Sequence, residues 1–300
     1  MQYQLFFTQR FKGRVLFNVP MSDHTSLGIG GPADVMAFPR DEADLRDLLA
    51  FCEAKGFAYH ILGGGTNVLV RDGGIRGIVI NMADGFKGID WAEPDRAVVE
   101  GGVTLAGLLG ECAERGLGGL EFAAGIPGTV GGAVVMNAGA YGGEMADVVE
   151  GVEIIRRKGK RGFLGSEDLR FGYRTSEVPA GAVVVRAHMR FTPGDQGEVR
   201  DKIAGLRRRR GATARITYPN AGSVFKNPEG GIAGKLIEEA GMKGERAGGA
   251  MVSEVHANYI VNTGGATAAD VLALMASIRD RVFSTTGVVL EPEIKVLGED

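Results

Sequence analysis

The sequence predicts an α+β fold, because helix-like and strand-like segments alternate along the whole chain. Its 300 residues are 44% hydrophobic and 24% charged, which is typical of a soluble protein with sizeable cores. Glycine is over-represented, with 49 residues where average usage predicts roughly 21. These glycines fall in short clusters between the predicted elements. Such clusters mark places where the backbone turns sharply or approaches a ligand closely.

Charge and cysteine content exclude several classes of protein. A net charge of −3 argues against a nucleic-acid-binding protein, and the one basic run, Arg207 to Arg210, is more typical of a solvated helix face. No apolar stretch approaches the roughly 20 residues that span a bilayer, and the first residues do not resemble a signal peptide. Cys52 and Cys112 lie among helical apolar residues, which predicts buried, reduced thiols and a cytoplasmic protein.

The first region, up to about residue 193, is predicted to contain two helices and six strands. Asp41 and Gly56 bound the first helix, and Thr104 and Gly116 bound the second, since each pair supplies an N-cap and a C-terminal glycine. No element is predicted in the N-terminal arm. The predicted strands are residues 35–38, 58–62, 77–82, 97–103, 149–157 and 182–191.

The character of the chain changes at residues 192–195, Thr-Pro-Gly-Asp, where we expect a domain boundary. A basic helix ending near Arg210, a short helix at 232–240 and a strand at 259–262 follow. The most regular helix of the chain is predicted from Thr267 to Gly287, with Asp270 at the capping-box position. Alternating apolar residues then predict a final strand over residues 288–297.

Two glycine-rich stretches, residues 63–67 and 125–133, are candidates for binding an anion. Several backbone N–H groups can converge on one anionic group in such turns without any lysine, and Gly128, Gly131 and Gly132 present no Cβ to a phosphate. From the residues alone, two tight turns in a glycine-rich chain explain these stretches equally well.

Four polar side chains remain ambiguous when each is considered alone. Ser223 is consistent with an ordinary turn hydroxyl, and Arg174 with a surface arginine. Glu291 and Glu293 share one face of the predicted final strand, and spacing does not choose between them. The four histidines and two cysteines show no metal-ligand spacing, so we expect no metal site.

Together these segments resemble the flavin-dependent UDP-N-acetylenolpyruvoylglucosamine reductases. Each motif is weak by itself, but seven motifs in the same order over nearly the whole chain are highly specific. They are residues 24–34, 63–69, 125–132, 137–142, 171–176, 220–228 and 290–293.

The resemblance implies a fold and a domain organisation. Residues 1–193 would form a two-lobed FAD-binding unit of the vanillyl-alcohol-oxidase type, with lobes at about 20–62 and 63–193. Residues 194–287 would form a smaller α+β substrate-binding domain, and residues 288–300 a strand that returns to the FAD unit. Only 49 positions separate Arg174 from Ser223, which implies the compact form of the family that lacks a substrate-covering tyrosine loop.

The resemblance also implies an activity. Members of this family use NADPH to reduce a non-covalent FAD, which then reduces the enolpyruvyl ether of UDP-N-acetylglucosamine to UDP-N-acetylmuramate for peptidoglycan synthesis. We therefore expect a cytoplasmic, monomeric enzyme whose partners are a UDP-sugar and NADPH, without nucleic acid or membrane.

The resemblance also implies roles for individual residues, wherever a motif of this sequence matches a motif of the family. Arg174 would bind the substrate carboxylate, Ser223 would deliver a proton, and Glu293, rather than Glu291, would stabilise the intermediate. The substrate-binding residues implied are Asn227, Tyr173 and Arg210, with Arg209 an alternative to Arg210. The FAD-binding residues implied are Gly63, Gly64, Gly65, Thr66, Asn67, Gly125, Ile126, Gly128, Thr129, Gly132, Ala133, Asn137 and Gly139.

Two other functions remain possible on the same scaffold. One is a flavin oxidase, with or without covalent FAD, but Thr66 and Asn67 stand where histidine-linked oxidases carry a loop histidine. The other is a flavin-binding module without catalysis, against which the combination of Arg174, Ser223 and Glu293 argues.

Overall fold

The computed structural model describes residues 4–211 and 216–300. Its contacts divide the chain into two compact units. Unit 1 comprises Met1–Phe17, Val35–Gly64 and Gly77–Arg210, and unit 2 comprises Asn18–Asp34, Gly65–Arg76 and Gly211–Asp300.

Eight α-helices form within the described residues. They are α1 (Gln4–Gln9), α2 (Glu42–Lys55), α3 (Leu105–Arg115), α4 (Val130–Val135), α5 (Ser166–Leu169), α6 (Gln196–Arg210), α7 (Ala233–Glu239) and α8 (Ala268–Thr286).

The strands of the same residues are short, and several contain only two or three residues. They are β1 (Arg14–Pro20), β2 (Pro32–Phe38), β3 (Tyr59–Leu62), β4 (Val68–Val70), β5 (Ile75–Asn81), β6 (Ile89–Glu93), β7 (Arg96–Glu100), β8 (Leu117–Gly118), β9 (Gly139–Ala140), β10 (Gly143–Glu144), β11 (Val149–Arg156), β12 (Lys160–Gly165), β13 (Val183–Arg190), β14 (Thr192–Pro193), β15 (Arg246–Ala247), β16 (Ala250–Val252), β17 (Ile260–Asn262) and β18 (Lys295–Leu297).

Two larger sheets are formed by strands from the first 190 residues of the chain. One has the strand order β1-β2-β5-β3, and the other is antiparallel with the order β12-β11-β13-β7-β6. Helices α3, α4 and α6 supply apolar side chains to the core beside the second sheet. In unit 2 the sheet β15-β16-β17 packs with α7 and α8, and β18 pairs in parallel with β4.

The three helices with the clearest sequence signals begin and end as predicted. The side chain of Asp41 accepts the backbone N–H of Asp44 at the start of α2, and Thr104 caps α3 in the same way. At α8 the capping box of Thr267 and Asp270 is complete. Left-handed glycines at 56, 116 and 287 end these helices.

The predicted final strand over residues 288–297 is wrong except at its end. Only Lys295–Leu297 forms a strand, while Pro292 makes one isolated bridge to Phe225. Leu290 and Ile294 are buried as the alternation predicted, but they pack into the core of unit 2 without a continuous partner strand.

The N-terminal arm contains elements that the sequence did not predict. Phe6, Phe7 and Phe11 are buried against α2, and the ring of Phe6 stacks on that of Phe51 with centroids 4.1 Å apart. The short helix α1 has no recognisable cap or apolar period, and tertiary packing of aromatic rings stabilises it instead.

The compact units divide the chain differently from the predicted domains. Val199 and Ile203 of α6 lie in the core of unit 1, so that helix belongs with the residues before 194 rather than after it. Residues 288–300 belong to unit 2, because β18 pairs with β4 there.

Both cysteines are free and buried, as predicted. Burial raises the pKa of Cys52 and of Cys112 to about 12. None of the helices within residues 4–211 and 216–300 is long and apolar enough to cross a membrane.

Candidate active site

The glycine-rich stretch of residues 125–133 is a rigid turn in unit 1 that leads into α4. The N–H of Val130 donates to the carbonyl oxygen of Val103 (2.8 Å), and the N–H of Gly131 donates to that of Gly101 (2.9 Å). A Cβ on Gly131 would lie 3.1 Å from the Gly101 oxygen, so the close approach explains the glycine. These two N–H groups hold the turn in place and are not the ones that could bind an anion.

Thr129 and Gly63 form a small polar cradle in unit 1. The Thr129 side chain is buried, and its Oγ1 has no hydrogen-bond partner among residues 4–211 and 216–300. A Cβ on Gly63 would overlap this oxygen. A buried hydroxyl without a partner costs about 1–3 kcal/mol, so this oxygen favours a polar ligand group. The cradle therefore fits part of a cofactor such as FAD.

The other half of the first glycine-rich loop lies in unit 2. Gly65 has a φ of 65°, and a Cβ there would collide with the carbonyl oxygen of His24. The N–H of Ser26 donates to the Gly65 carbonyl (2.9 Å), and Asn67 Nδ2 donates to the backbone carbonyl of Glu293 (3.3 Å). The loop end is thus fixed by backbone contacts that only a glycine permits.

Arg174 lies in a tight turn of unit 1. Gly172 and Thr175 pair through two backbone hydrogen bonds of 3.0 and 3.2 Å. Arg174 itself has a φ of 58°, a left-handed conformation that is costly for a residue with a Cβ. Its Nη2 donates to the carbonyl oxygen of Gly139 (2.8 Å), and the exposed ring of Tyr173 lies 5.0 Å from its guanidinium carbon. The turn thus orients the guanidinium beside the segment around Gly139.

Asn137 connects that segment to the Arg174 turn. It is fully buried and has a φ of 40°. Its Nδ2 donates to the carbonyl oxygen of Gly172 (2.9 Å), and its Oδ1 accepts the N–H of Ala146 (3.0 Å). The amide that the family resemblance assigned to FAD binding therefore holds the arginine turn in place.

The backbone segments that carry Ser223 and Glu293 pair with each other within unit 2. The N–H of Glu293 donates to the carbonyl oxygen of Val224, the residue after Ser223, at 2.7 Å. Both side chains are half-buried, whereas Glu291 is exposed and lies 3.5 Å from Lys226 Nζ. The two glutamates therefore differ in exposure, and the choice of Glu293 as the site residue stays a prediction.

The three residues predicted to bind substrate occupy different surroundings. Asn227 is exposed, and its Oδ1 accepts the N–H of Ala233 at the start of α7 (3.0 Å). Arg210 packs against Gly125 of the second glycine-rich stretch, since a Cβ on that glycine would lie 2.9 Å from Arg210 Cδ. Arg209 instead lines a cavity of about 490 Å³, with its guanidinium 5.3 Å from the ring of Tyr141.

The histidines and acidic residues do not assemble into a metal site within the described parts of the chain. Burial lowers the pKa of His60 and of His256, which keeps both imidazoles neutral near pH 7.

Comparison with known proteins assigns a family to these features. A family model described as the C-terminal domain of UDP-N-acetylenolpyruvoylglucosamine reductase matches residues 214–297, and an FAD-binding-domain model matches residues 33–162. The UDP-N-acetylenolpyruvoylglucosamine reductase of Geobacter metallireducens is 47% identical over 289 residues, which cover 96% of each chain. The chain belongs to the UDP-N-acetylenolpyruvoylglucosamine reductase family.

Two further members of the reductase family support this assignment. The enzyme of Heliobacterium modesticaldum is 48% identical over 299 residues, covering 97% of this chain and 93% of the relative. The crystal structure of the reductase from Thermus caldophilus is 38% identical, with a TM-score of 0.81 over 96% of this chain and 99% of that one.

Family membership confirms several predictions. The resemblance, the α+β fold class with an FAD-binding domain, the oxidoreductase class, and FAD with NADPH as cofactors are all confirmed. The oxidase and the inactive module, which were the alternatives, receive no support. The roles of individual site residues stay predictions.

Sequence reasoning missed two buried asparagines of this reductase. Asn258 and Asn262 are 4% and 9% exposed and bind backbone groups of distant segments. The sequence did contain a signal for them, because both amides lie next to apolar residues, and an amide that is buried needs hydrogen-bond partners. The partners themselves could not be read from the sequence.

Proposed function

We propose that this chain reduces the enolpyruvyl ether of UDP-N-acetylglucosamine to UDP-N-acetylmuramate, with NADPH as reductant and FAD as the resident cofactor. The observation that carries the proposal is the hydrogen bond between Val224 and Glu293, in a chain of this family. This backbone hydrogen bond joins the segment that carries Ser223 to the segment that carries Glu293, and so supports a site in which the two residues together handle the proton that the substrate carbon receives.

The residues that would hold FAD are those of the two glycine-rich loops. In unit 1, the Thr129 hydroxyl beside Gly63 has no hydrogen-bond partner among the described residues, which suits it to bind a polar group of the cofactor. FAD, when bound, accepts a hydride from NADPH and donates one to the terminal carbon of the enolpyruvyl group. No loop histidine is present, so the proposed binding is non-covalent.

Arg174 would bind the substrate carboxylate. As hydride adds to the terminal carbon, negative charge builds on the adjacent carbon and spreads into this carboxylate. A guanidinium stays charged and offers two parallel donors, which match a carboxylate. Its hydrogen bond to Gly139 and the left-handed turn orient it before substrate arrives, and such preorganised charge is usually the largest catalytic contribution.

Ser223 would deliver the proton that completes the reaction. Its Oγ–H gives the proton to the carbon next to the carboxylate, so that hydride and proton together saturate the double bond. Glu293 would stabilise the same negative charge. An ionised carboxylate would repel that charge, so Glu293 acts in its protonated form or through a shared proton.

Binding of the UDP part is proposed for Asn227, Tyr173 and Arg210, with Arg209 as the alternative cation. Arg210 is favoured over Arg209 because it packs directly against Gly125 of a predicted FAD loop. We also propose that the enzyme is a monomer and acts in the cytoplasm.

An anaerobic two-step assay tests the proposal. The purified holoprotein is first reduced with NADPH, and the enolpyruvyl ether is then added without oxygen. We expect the flavin absorbance to be lost and then recovered, with UDP-N-acetylmuramate as the product by mass spectrometry. Flavin that stays reduced with this ether but is reoxidised by oxygen would instead support an oxidase.

A further inference from the structure

We propose that Asn258 is a positioning residue that fixes Ser223 relative to Glu293. The inference rests on the proposed function of those two side chains. Asn258 lies in the connection between β16 and β17, and only 4% of it is exposed. Neither the sequence motifs nor the family resemblance assigned it a role.

Asn258 binds the two residues that directly follow Ser223. Its Oδ1 accepts the N–H of Phe225 (3.0 Å), and its Nδ2 donates to the carbonyl oxygen of the same residue (2.8 Å). Its own backbone carbonyl accepts the N–H of Val224 (2.8 Å). One residue therefore provides three hydrogen bonds that a neighbouring strand would otherwise supply.

The opposite edge of this short segment carries Glu293. The carbonyl oxygen of Val224 accepts the N–H of Glu293, and Phe225 pairs with Pro292 in an isolated antiparallel bridge. The segment after Ser223 is thus held between Asn258 on one side and the chain at Glu293 on the other. If the Asn258 side is released, this segment is held on the Glu293 side alone, and Ser223 can shift relative to Glu293.

The position of Asn258 is itself defined by its neighbours. Its N–H donates to Nδ1 of His256 (3.2 Å), and Ser253 Oγ accepts the N–H groups of Val255 and His256 (3.2 and 3.4 Å). Burial lowers the pKa of His256, so the ring is neutral and Nδ1 can accept a hydrogen bond.

Only a short amide side chain satisfies both groups of Phe225. The amide carries a donor and an acceptor in one plane, so it pairs with the N–H and the C=O of one residue. Aspartate retains the acceptor but loses the donor, and alanine loses both.

The chain offers a matched control in Asn262. This asparagine, the last residue of β17, is also buried, and it too binds backbone groups through both ends of its amide. Its Nδ2 donates to the carbonyl of Leu27 (3.2 Å), and its Oδ1 accepts the N–H groups of Gly264 and Ala266. Its side chain has no hydrogen bond to residues 223–225 or 293.

The experiment compares the two half-reactions in holoenzyme carrying Asn258→Ala or Asn262→Ala. For Asn258→Ala we expect flavin reduction by NADPH within about twofold of wild type. Reoxidation by the enolpyruvyl ether should slow by about tenfold to a hundredfold, the size of effect that misplaced catalytic groups produce. Asn262→Ala should lower the Tm without this asymmetry.

A double mutant separates positioning from general destabilisation. If Asn258 acts through Ser223, adding Asn258→Ala to Ser223→Ala should slow reoxidation by less than threefold further, because coupled residues are non-additive. Equal slowing of both half-reactions, or full additivity with Ser223→Ala, would overturn the inference. Should Asn258→Ala fail to fold, Asn258→Asp, which keeps the acceptor for the Phe225 N–H, is measured in the same way. Failure of the wild-type protein to be reoxidised by the ether would count against the proposed function instead.

Discussion

Asn67 Nδ2 donates a hydrogen bond to the backbone carbonyl oxygen of Glu293, 3.3 Å away. The two residues are 226 positions apart in the chain, yet the Glu293 peptide is fixed at both ends, by Val224 at its N–H and by Asn67 at its C=O. The first glycine-rich loop of the predicted cofactor site is therefore connected to the predicted proton-handling carboxyl within unit 2.

Asn67→Ala tests whether this hydrogen bond matters for catalysis. The substitution removes the side-chain donor and leaves the loop backbone intact, so FAD should still bind through the backbone groups of the loop. Reoxidation of reduced flavin by the enolpyruvyl ether should slow about fivefold, because one hydrogen bond contributes about 1 kcal/mol. Stopped-flow absorbance measures the rate, and the flavin-to-protein ratio is the control. A protein that loses FAD but keeps a normal rate per flavin would place Asn67 in cofactor binding alone.

Gly63→Ala tests the cradle formed with Thr129. The new Cβ would overlap Thr129 Oγ1, so we expect FAD affinity to fall at least about tenfold, measured by flavin titration of the apoprotein. The matched control is Gly110→Ala in α3, where no atom lies within 4 Å of the added Cβ. That change should preserve FAD binding and raise stability by about 0.5–1 kcal/mol. Unchanged FAD affinity in Gly63→Ala would remove this cradle from the cofactor site.

Arg174→Lys keeps the positive charge but replaces the planar guanidinium, which offers a pair of parallel donors, by an ammonium group that acts as a point charge. We expect turnover with the enolpyruvyl ether to fall by about 10² or more, as when an oriented charge-stabilising group is lost. Arg170→Lys is the control, since Arg170 is exposed and lies 3.5 Å from Glu177. Steady-state kinetics measure both variants, and near-native turnover in Arg174→Lys would exclude Arg174 from the site.

Ser223→Ala should separate the two half-reactions. NADPH reduces the flavin without the proposed proton transfer, so flavin bleaching should stay near normal. Reoxidation by the enolpyruvyl ether should slow by about 10² to 10⁴, the range for a positioned acid or base. Rapid-mixing absorbance under anaerobic conditions measures both steps. If both slow equally, Ser223 supports the fold or the flavin geometry and does not donate the proton.

Cys52 and Cys112 should be unreactive in the native protein. Burial raises the pKa of both thiols from 9.0 to about 12, so neither forms the thiolate that reacts. A chromogenic disulfide reagent at pH 8 should therefore label two thiols in urea and none without it. Reaction of a native thiol at the rate of a small exposed thiol would show that its helix opens readily.

The same pKa values have a consequence for stability at alkaline pH. Between pH 9 and pH 12 the unfolded chain loses its thiol protons while the folded chain retains them, so the free energy of unfolding should fall as the pH rises through this range. Urea denaturation at pH 8 and pH 10 measures the change. A variant with Cys52→Ala and Cys112→Ala should show a smaller pH dependence.

Local signals allowed the sequence to predict much of this protein by itself. Asp41, Thr104 and Thr267 identified helix starts, because capping depends on residues within one turn, and seven ordered motifs identified the family. The end of the chain shows where local reasoning fails. The alternating apolar pattern correctly predicted that Leu290 and Ile294 are buried. Whether a strand forms there, however, depends on partner segments elsewhere in the chain.

Only the tertiary structure decided which polar groups meet. Spacing left Glu291 and Glu293 equivalent, and only the structure showed that Glu291 is exposed beside Lys226 whereas Glu293 is half-buried. Asn137 and Asn258 had no assigned partners until folding placed the carbonyl oxygens of Gly172 and Phe225 within 3 Å of their amides. The physical reason is that a buried amide must find hydrogen-bond partners, but the fold rather than the neighbouring sequence determines which groups those are.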